Sequence, residues 1–366
     1  MSTEKQSARF RLSPLNRRRL DIFKSNRRGY YALCIFSVLF TISLCAEMIA
    51  NDKPIVFAYK GDLYFPIIAF YSESELGGVL ETEAAYRDPY VANLIDADGW
   101  AIWPPIRFSF NTIDYSYQVV PSPPDSVHIL GTDGSATDIF AKLLYGFRLS
   151  VLFGISLTII SAVIGVTVGA LQGYYGGLVD LIGQRLVEIQ TGLPILFVLI
   201  ILASIVEPNV YWLLGILSLF SWMVFVGVVR AEFLRARNFE FVRAARALGV
   251  ADFTILYKHV FPNAMVSTLT YVPFVLNGSI TSLTALDFLG FGLPIDSPSF
   301  GRLLSDAKAN LQAPWMAFSV FFALATLLSL LIFIGEAVRD ALDPRRALLS
   351  GDKIEATTEM VGMQTA

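Results

Sequence analysis

Long apolar runs constrain this chain more than any other feature. A membrane helix needs roughly 20 predominantly apolar residues. Runs of that kind occupy 30–50, 149–171, 186–206, 210–229, 265–288 and 315–338. The six runs predict an all-α membrane protein with six transmembrane helices. Composition agrees: 54% of the 366 residues are hydrophobic and only 16% are charged, against about 25% charged in soluble domains. The run at 30–50 follows a basic stretch, 1–29, too long for a signal-peptide n-region, and no small-residue cleavage site follows it. It reads as a retained anchor. Cys34 and Cys45 both lie in that run, eleven positions apart on one helix, and read as small buried residues. His128 and His259 are the only histidines, too few for a zinc site.

The net charge of −3 hides a strong asymmetry. Arg9, Arg11, Arg17, Arg18, Arg19, Lys24, Arg27 and Arg28 precede the first run. Arg339, Arg345 and Arg346 end or follow the last, and Arg230, Arg235 and Arg237 follow the fourth. Loops rich in lysine and arginine stay in the cytoplasm, so both termini and the 241–263 connection are expected there. The 51–136 segment falls outside. It is acidic and carries Trp, Tyr, Phe and Pro, enough apolar material for a small packed element of loops and short strands. It can pack on the outer helix ends or present a docking surface. The 347–366 tail is expected to be cytoplasmic and mobile.

The 241–263 connection, FVRAARALGVADFTILYKHVFPN, is built of two short helices. Phe241, Ala244, Ala245 and Leu248 recur at helical spacing on one predicted face, with Arg243 and Arg246 on another. Gly249 suits a C-terminal position needing positive φ. Asp252 can cap the second helix, and Pro262 stops it or opens the next span. A positive-inside interfacial helix accounts for this pattern; a docking elbow is the narrower alternative.

Three strings carry a family resemblance. Ala244-Ala245, Gly249 and Pro262 are spaced as in the cytoplasmic EAA loop of ABC importer permeases, and RAARALGVADFTILYKHVFPN resembles the peptide and nickel branch. Arg243 stands where that loop has glutamate, and His259 and Phe261 where isoleucine and leucine are usual. LGTDGSATDIFAKLLYGFRLSVLFG, 130–154, is similar to the segment leading into the second span, although the family often has Gly-Arg where Ala136-Thr137 stand. LDFLGFGLPIDSPSFG, 286–301, is similar to the signature after the fifth span, with Asp287 where serine is common. The long insertion and the ending IGEAVRDALDPRR look most similar to Yej-type permeases, a subgroup associated with peptide and microcin C uptake.

The resemblance implies the type I ABC permease fold, with 137–346 as the transmembrane domain and 51–136 as a periplasmic insertion. It implies that Arg243, Ala244, Ala245, Arg246, Leu248, Gly249, Ala251, Asp252 and Phe253 couple to an ATPase. The expected partners are a second homologous permease, two ATPase subunits or domains, a periplasmic solute-binding protein and membrane lipid, with no nucleic acid. The chain itself is expected to bind no cofactor or metal and to catalyse no reaction, with ATP and Mg held by the ATPase. The location implied is the bacterial inner membrane.

A nickel-chelate permease is the alternative within the branch. A proton-coupled secondary transporter would place ionisable groups near mid-membrane, and none stands there in the six runs. A membrane enzyme would need paired acids or a nucleophile; Arg185 and Glu188 read instead as a helix-face ion pair. Asp287, near an outer helix end, can be hydrated there. No Gly-x-x-x-x-Gly-Lys-Ser/Thr loop is present, so energy must come from a separate ATPase. Ser267, Thr270, Asn277, Thr281 and Thr284 fall on one face of the fifth run and can line a hydrated path or bond between helices. Gly165, Gly169 and Gly173 are spaced for close helix contact, and Pro194 and Pro273 for kinks.

Overall fold

The computed structural model describes residues 13–203, 205–206, 209–294 and 296–343. Arg9, Arg11, Arg345, Arg346 and the 347–366 tail lie outside the described residues. In order, the helices are α1 (Pro14–Ser25), α2 (Arg27–Leu44), α3 (Ala46–Ile49), α4 (Pro89–Asp98), α5 (Ile139–Tyr175), α6 (Gly177–Thr191), α7 (Ile195–Ala203), α8 (Val210–Ser221), α9 (Met223–Ala236), α10 (Glu240–Ala247), α11 (Asp252–Ile255), α12 (Phe261–Phe288), α13 (Phe300–Ala309) and α14 (Pro314–Leu342). Strands β1 (Val56–Tyr59), β2 (Asp62–Tyr64) and β3 (Gly99–Ile102) lie between α3 and α5.

Among the described residues, four helical segments are long and apolar enough to cross a bilayer, or five if α6 and α7 are taken as one bent span. The segments are α5, α8–α9 as Val210–Ala236, α12 as Ala264–Phe288, and α14. The 186–206 run is not a straight span. Its helix starts at Gly177, breaks after Thr191 and resumes at Ile195 with a 69° bend. Pro194 supplies the reason, because it has no N–H to donate back and its ring collides with a preceding carbonyl. The 30–50 run is likewise interrupted: α2 ends at Leu44, and Cys45 leads into the short α3. α5 begins ten residues before the apolar run at 149, because Asp138 caps it by accepting a bond from the Ala141 N–H at 2.7 Å.

Helices α5 and α9 pack closely along three glycines. A Cβ on Gly165 would lie 2.3 Å from the Trp222 carbonyl oxygen, and one on Gly173 would lie 2.6 Å from that of Arg230. At Gly169 the nearest approach would be 3.0 Å, to the Val226 carbonyl. The three glycines are therefore a packing seam, as in small-residue membrane interfaces generally.

Within 51–136, residues 56–103 fold as a small unit. Its antiparallel sheet has the order β2-β1-β3, with Phe57 opposite Tyr64 and Ala101. Phe57, Tyr59, Leu76, Tyr86, Val91 and Ile95 form its core. It joins the helices through Ala50, bridged to Ile106, and through the Tyr145 hydroxyl, which donates to the Ala50 carbonyl at 2.9 Å. Arg148 of α5 grips Glu47 of α3 with two bonds of 2.8 and 2.9 Å.

Candidate functional site

The elbow is two arms meeting at Gly249. The first arm, α10, ends when Gly249 adopts φ +78°, a conformation cheap only for glycine. A Cβ there would meet nothing within 4 Å, so the requirement is conformational. The second arm is not a separate helix. From Asp252 the backbone passes through α11, a π-helical turn at Leu256–Val260 and α12 with no loop between. Pro262 does not stop a helix; it stands in the first turn of α12 and so opens the next span, the second of its two expected roles. The wider π turn relieves the clash that its ring would make in a regular α-helix. The elbow is thus the end of α12 itself.

Packing decides which face of the elbow is inside. Val242, Ile255 and Val260 are fully buried against Val166, Val229 and Phe233, with Ala245 packed beside them. Phe241, Ala244 and Leu248 are exposed. Leu248 is 83% exposed and Phe253 73%. The repeat at 241, 244 and 248 therefore marks an outward apolar face, and on the second arm Tyr257 is exposed as well, stacked on Phe253.

Asp252 does not cap. Ala251 occupies the cap position without a side-chain bond. The Asp252 carboxylate instead accepts a bond from the Tyr174 hydroxyl at 2.6 Å and faces Arg246 at 3.4 Å. Arg246 donates to the same Tyr174 oxygen at 3.2 Å. One tyrosine at the end of α5 thus ties both arms together. Of the nine residues expected to couple, Arg246 and Asp252 serve this clamp, and Gly249 sets the turn. Arg243, Ala244, Leu248, Ala251 and Phe253 remain exposed. Tyr174 has no sequence signal, because nothing in its neighbours relates it to residues more than 70 positions away.

The stripe on α12 is not brought to one environment. Ser267 and Thr270 line a cavity of about 870 Å³ at the elbow end. Asn277 donates to the Leu328 carbonyl on α14 at 3.3 Å. Thr281 is exposed and bonds within its own helix, to the Asn277 carbonyl at 2.9 Å. Thr284 is buried, bonds within its own helix, and is closed over by Gly301, whose Cβ would lie 2.2 Å from its carbonyl oxygen. Asp287 is buried, 4% exposed. One oxygen accepts from the Leu293 N–H at 2.6 Å, and the other has no hydrogen-bond partner among the described residues. Arg185 and Glu188 form the ion pair expected of them on an exposed face of α6.

A second buried cluster went unread in the sequence. The His128 ring lies between two carboxylates, Asp138 at 2.7 Å and Asp114 at 3.3 Å, with Phe108 and Tyr117 packed on it. Burial works against the imidazolium, but the two carboxylates outweigh it and raise the His128 pKa. Beside it, Asp133 pairs with Lys142. In the same turn Ala136 adopts φ +59°, which explains glycine as the frequent residue there.

Several apolar spans, an elbow continuous with one of them, and a buried turn leading into another describe a multi-span helical membrane protein. Residues 165–348 match the model of the binding-protein-dependent transport system inner membrane component, and the chain belongs to that family. It is 57% identical over 339 residues to the inner membrane ABC transporter permease protein YejE of Escherichia coli strain K12, covering 92% of this chain and 99% of the relative. It is 51% identical over 359 residues to the peptidoglycan transport system permease protein YejE of Agrobacterium fabrum, covering 91% and 94%. The oligopeptide transport system permease protein OppC of Haemophilus influenzae is 33% identical over 239 residues, 65% of this chain and 77% of the relative. The chain is therefore a multi-pass inner-membrane permease subunit of the ABC importer class, which works with ATPase and substrate-binding partners, and is not itself an enzyme.

Proposed function

We propose that this permease carries peptides or peptide-like compounds into the cytoplasm as one of two related transmembrane subunits. The peptide class rests on what its relatives are named for, peptidoglycan and oligopeptide transport; microcin C has no such support. Two ATPase subunits or domains, holding ATP and Mg, and a periplasmic solute-binding protein complete the assembly. The six-span topology, with α2 and the α6–α7 pair each crossing once, is supported by helix direction. The starts of α2 and α6 and the ends of α5, α9 and α14 then share one end of the bundle with the elbow, and Arg19, Arg235 and Arg339 gather there. Such enrichment favours a cytoplasmic elbow and cytoplasmic termini, with 51–136 in the periplasm.

The observation that carries the mechanism is the clamp. An ATPase pressing on the outward face of Phe241, Ala244, Leu248 and Phe253 would push on α12 directly, because no loop intervenes. Tyr174 would pass the same displacement to α5. Alternating access then follows from rigid tilting of spans about the Gly165–Gly169–Gly173 seam. The test is proteoliposomes holding this chain with its partner subunits, with binding protein and labelled peptide outside and Mg-ATP inside. Peptide is expected to accumulate only with ATP. Accumulation driven by a proton gradient without ATP would overturn the reading.

A further inference from the structure

Two cavities in the helical bundle share a wall. The larger, about 870 Å³, opens at the elbow end, and the smaller, about 370 Å³, lies further along. Tyr271 borders both. On α9, Val224 faces the smaller cavity and Val228, Ala231 and Arg235 the larger. Steps of four, three and four residues keep them on one helix face. On α12, Ser267 and Tyr271 lead to Val275 and Gly278 in the same way. The cavities are successive parts of one groove along α9 and α12.

The chemistry changes along that groove. Its elbow end gathers Arg19 from α1, Arg235 from α9 and Arg339 from α14, against Glu232 and Asp343. Glu232 is engaged by Arg235 at 2.7 Å. Among the described residues, neither Arg19 nor Arg339 forms an ion pair. The far end is walled by Leu157, Leu217, Phe220, Val224 and Phe274. The Ser221 and Ser279 hydroxyls there donate to their own helices, at 2.9 Å each, and among the described residues no charged side chain lines this end, where Tyr271 and Ser282 are the remaining polar groups. From Arg235 to Val224 the helix rises about 16 Å at ~1.5 Å per residue. That is about half the ~30 Å hydrocarbon core of a bilayer, the reach of one acyl chain. α1, which supplies Arg19, also carries Arg17 and Arg18 and exposes Leu15 and Leu20, the composition of a helix lying in an anionic interface.

We propose that this groove holds an anionic phospholipid from the leaflet at the elbow end. Its phosphate sits among Arg19, Arg235 and Arg339, and one acyl chain runs between α9 and α12 as far as Gly278. The lipid joins α1 and α14 to α9 and to α12, the helix continuous with the elbow, so its occupancy sets how freely α12 moves against them.

The importer purified with its partner subunits is exchanged into mixed micelles of phosphatidylcholine with or without phosphatidylglycerol, and retained lipid is counted by native mass spectrometry. Phosphatidylglycerol is expected to be retained in preference. Arg19→Gln and Arg339→Gln are expected to lower its retention by about fivefold per arginine removed, the worth of one basic residue at an anionic surface. Gly278→Trp, at a position where a Cβ meets nothing within 4 Å, is expected to reduce retention without lowering thermal stability. Equal retention of the two lipids, or retention indifferent to all three changes, overturns the proposal. So does a photo-crosslinker at position 278 that captures the neighbouring permease or a cargo peptide in place of lipid.

Discussion

The outward face of the elbow gives the sharpest test of energy coupling. Leu248 and Phe253 flank Gly249, 83% and 73% exposed, and neither belongs to the buried cluster that anchors the elbow. Burying such a side chain contributes about 1.5–3 kcal/mol. Taking about 2 kcal/mol for each and scaling by the exposed fractions, the pair offers roughly 3 kcal/mol to an ATPase that covers them, about a hundredfold in affinity. Leu248→Ser with Phe253→Ser should therefore weaken ATPase binding by up to that factor. Folding should be nearly unaffected, since exposed positions usually change stability by less than about 0.5 kcal/mol. Binding is read by titrating purified ATPase onto the permease in nanodiscs, and stability by thermal unfolding in detergent. Val242→Ser serves as the contrast: Val242 is fully buried and its loss should lower thermal stability. Unchanged ATPase affinity in the double variant would refute the assignment of this face. A fall in thermal stability comparable to that of Val242→Ser would show that the two side chains serve the fold.

Other predictions rest on separate parts of the structure. Gly165→Ala and Gly173→Ala should each destabilise by about 1–3 kcal/mol through overpacking of the α5–α9 seam, whereas Gly227→Ala, with open space at its Cβ, should gain up to about 1 kcal/mol from helix propensity; thermal unfolding distinguishes them, and equal effects would dismiss the seam. Tyr174→Phe removes the hydroxyl shared by Asp252 and Arg246 and should lower peptide-stimulated transport per ATP hydrolysed while ATPase binding persists; unaltered coupling would remove Tyr174 from the lever. His128 has a raised pKa in the fold, so its contribution to stability is complete below the unfolded value of about 6.5 and is lost as pH rises through the higher folded value. Melting temperature measured across that range should fall with pH in the parent relative to His128→Gln, and parallel curves would exclude the pairing. Asp287→Asn keeps the acceptor for the Leu293 N–H while removing a buried carboxylate with one unpartnered oxygen, and should raise thermal stability by about 1 kcal/mol; a loss would show that the charge is needed.

The sequence by itself determined the solvent of this protein and much of its punctuation. Apolar length dictates helices for a bilayer, since only internally bonded backbone can cross it. Gly249 sits in the left-handed turn read from its position, the three glycines of α5 meet a neighbouring helix, and the chain breaks at Pro194. These are local requirements, written in the residue that meets them. Direction along the chain was legible, but which side of a helix faces inward was not. The repeat at Phe241, Ala244 and Leu248 is a true stripe, and packing placed it outward because Val242 and Ile255 took the contact with Val229 and Phe233. Periodicity identifies a face without naming what covers it. The same reason scattered the polar stripe of α12 among a cavity, a helix contact and a buried seam. Tyr174 with Asp252, Arg148 with Glu47, and His128 between two aspartates are pairs that only tertiary packing brings together. A short-range contact between residues distant in sequence depends on how whole helices cross, and it is those crossings that tie a charged elbow to the ends of α5 and α12.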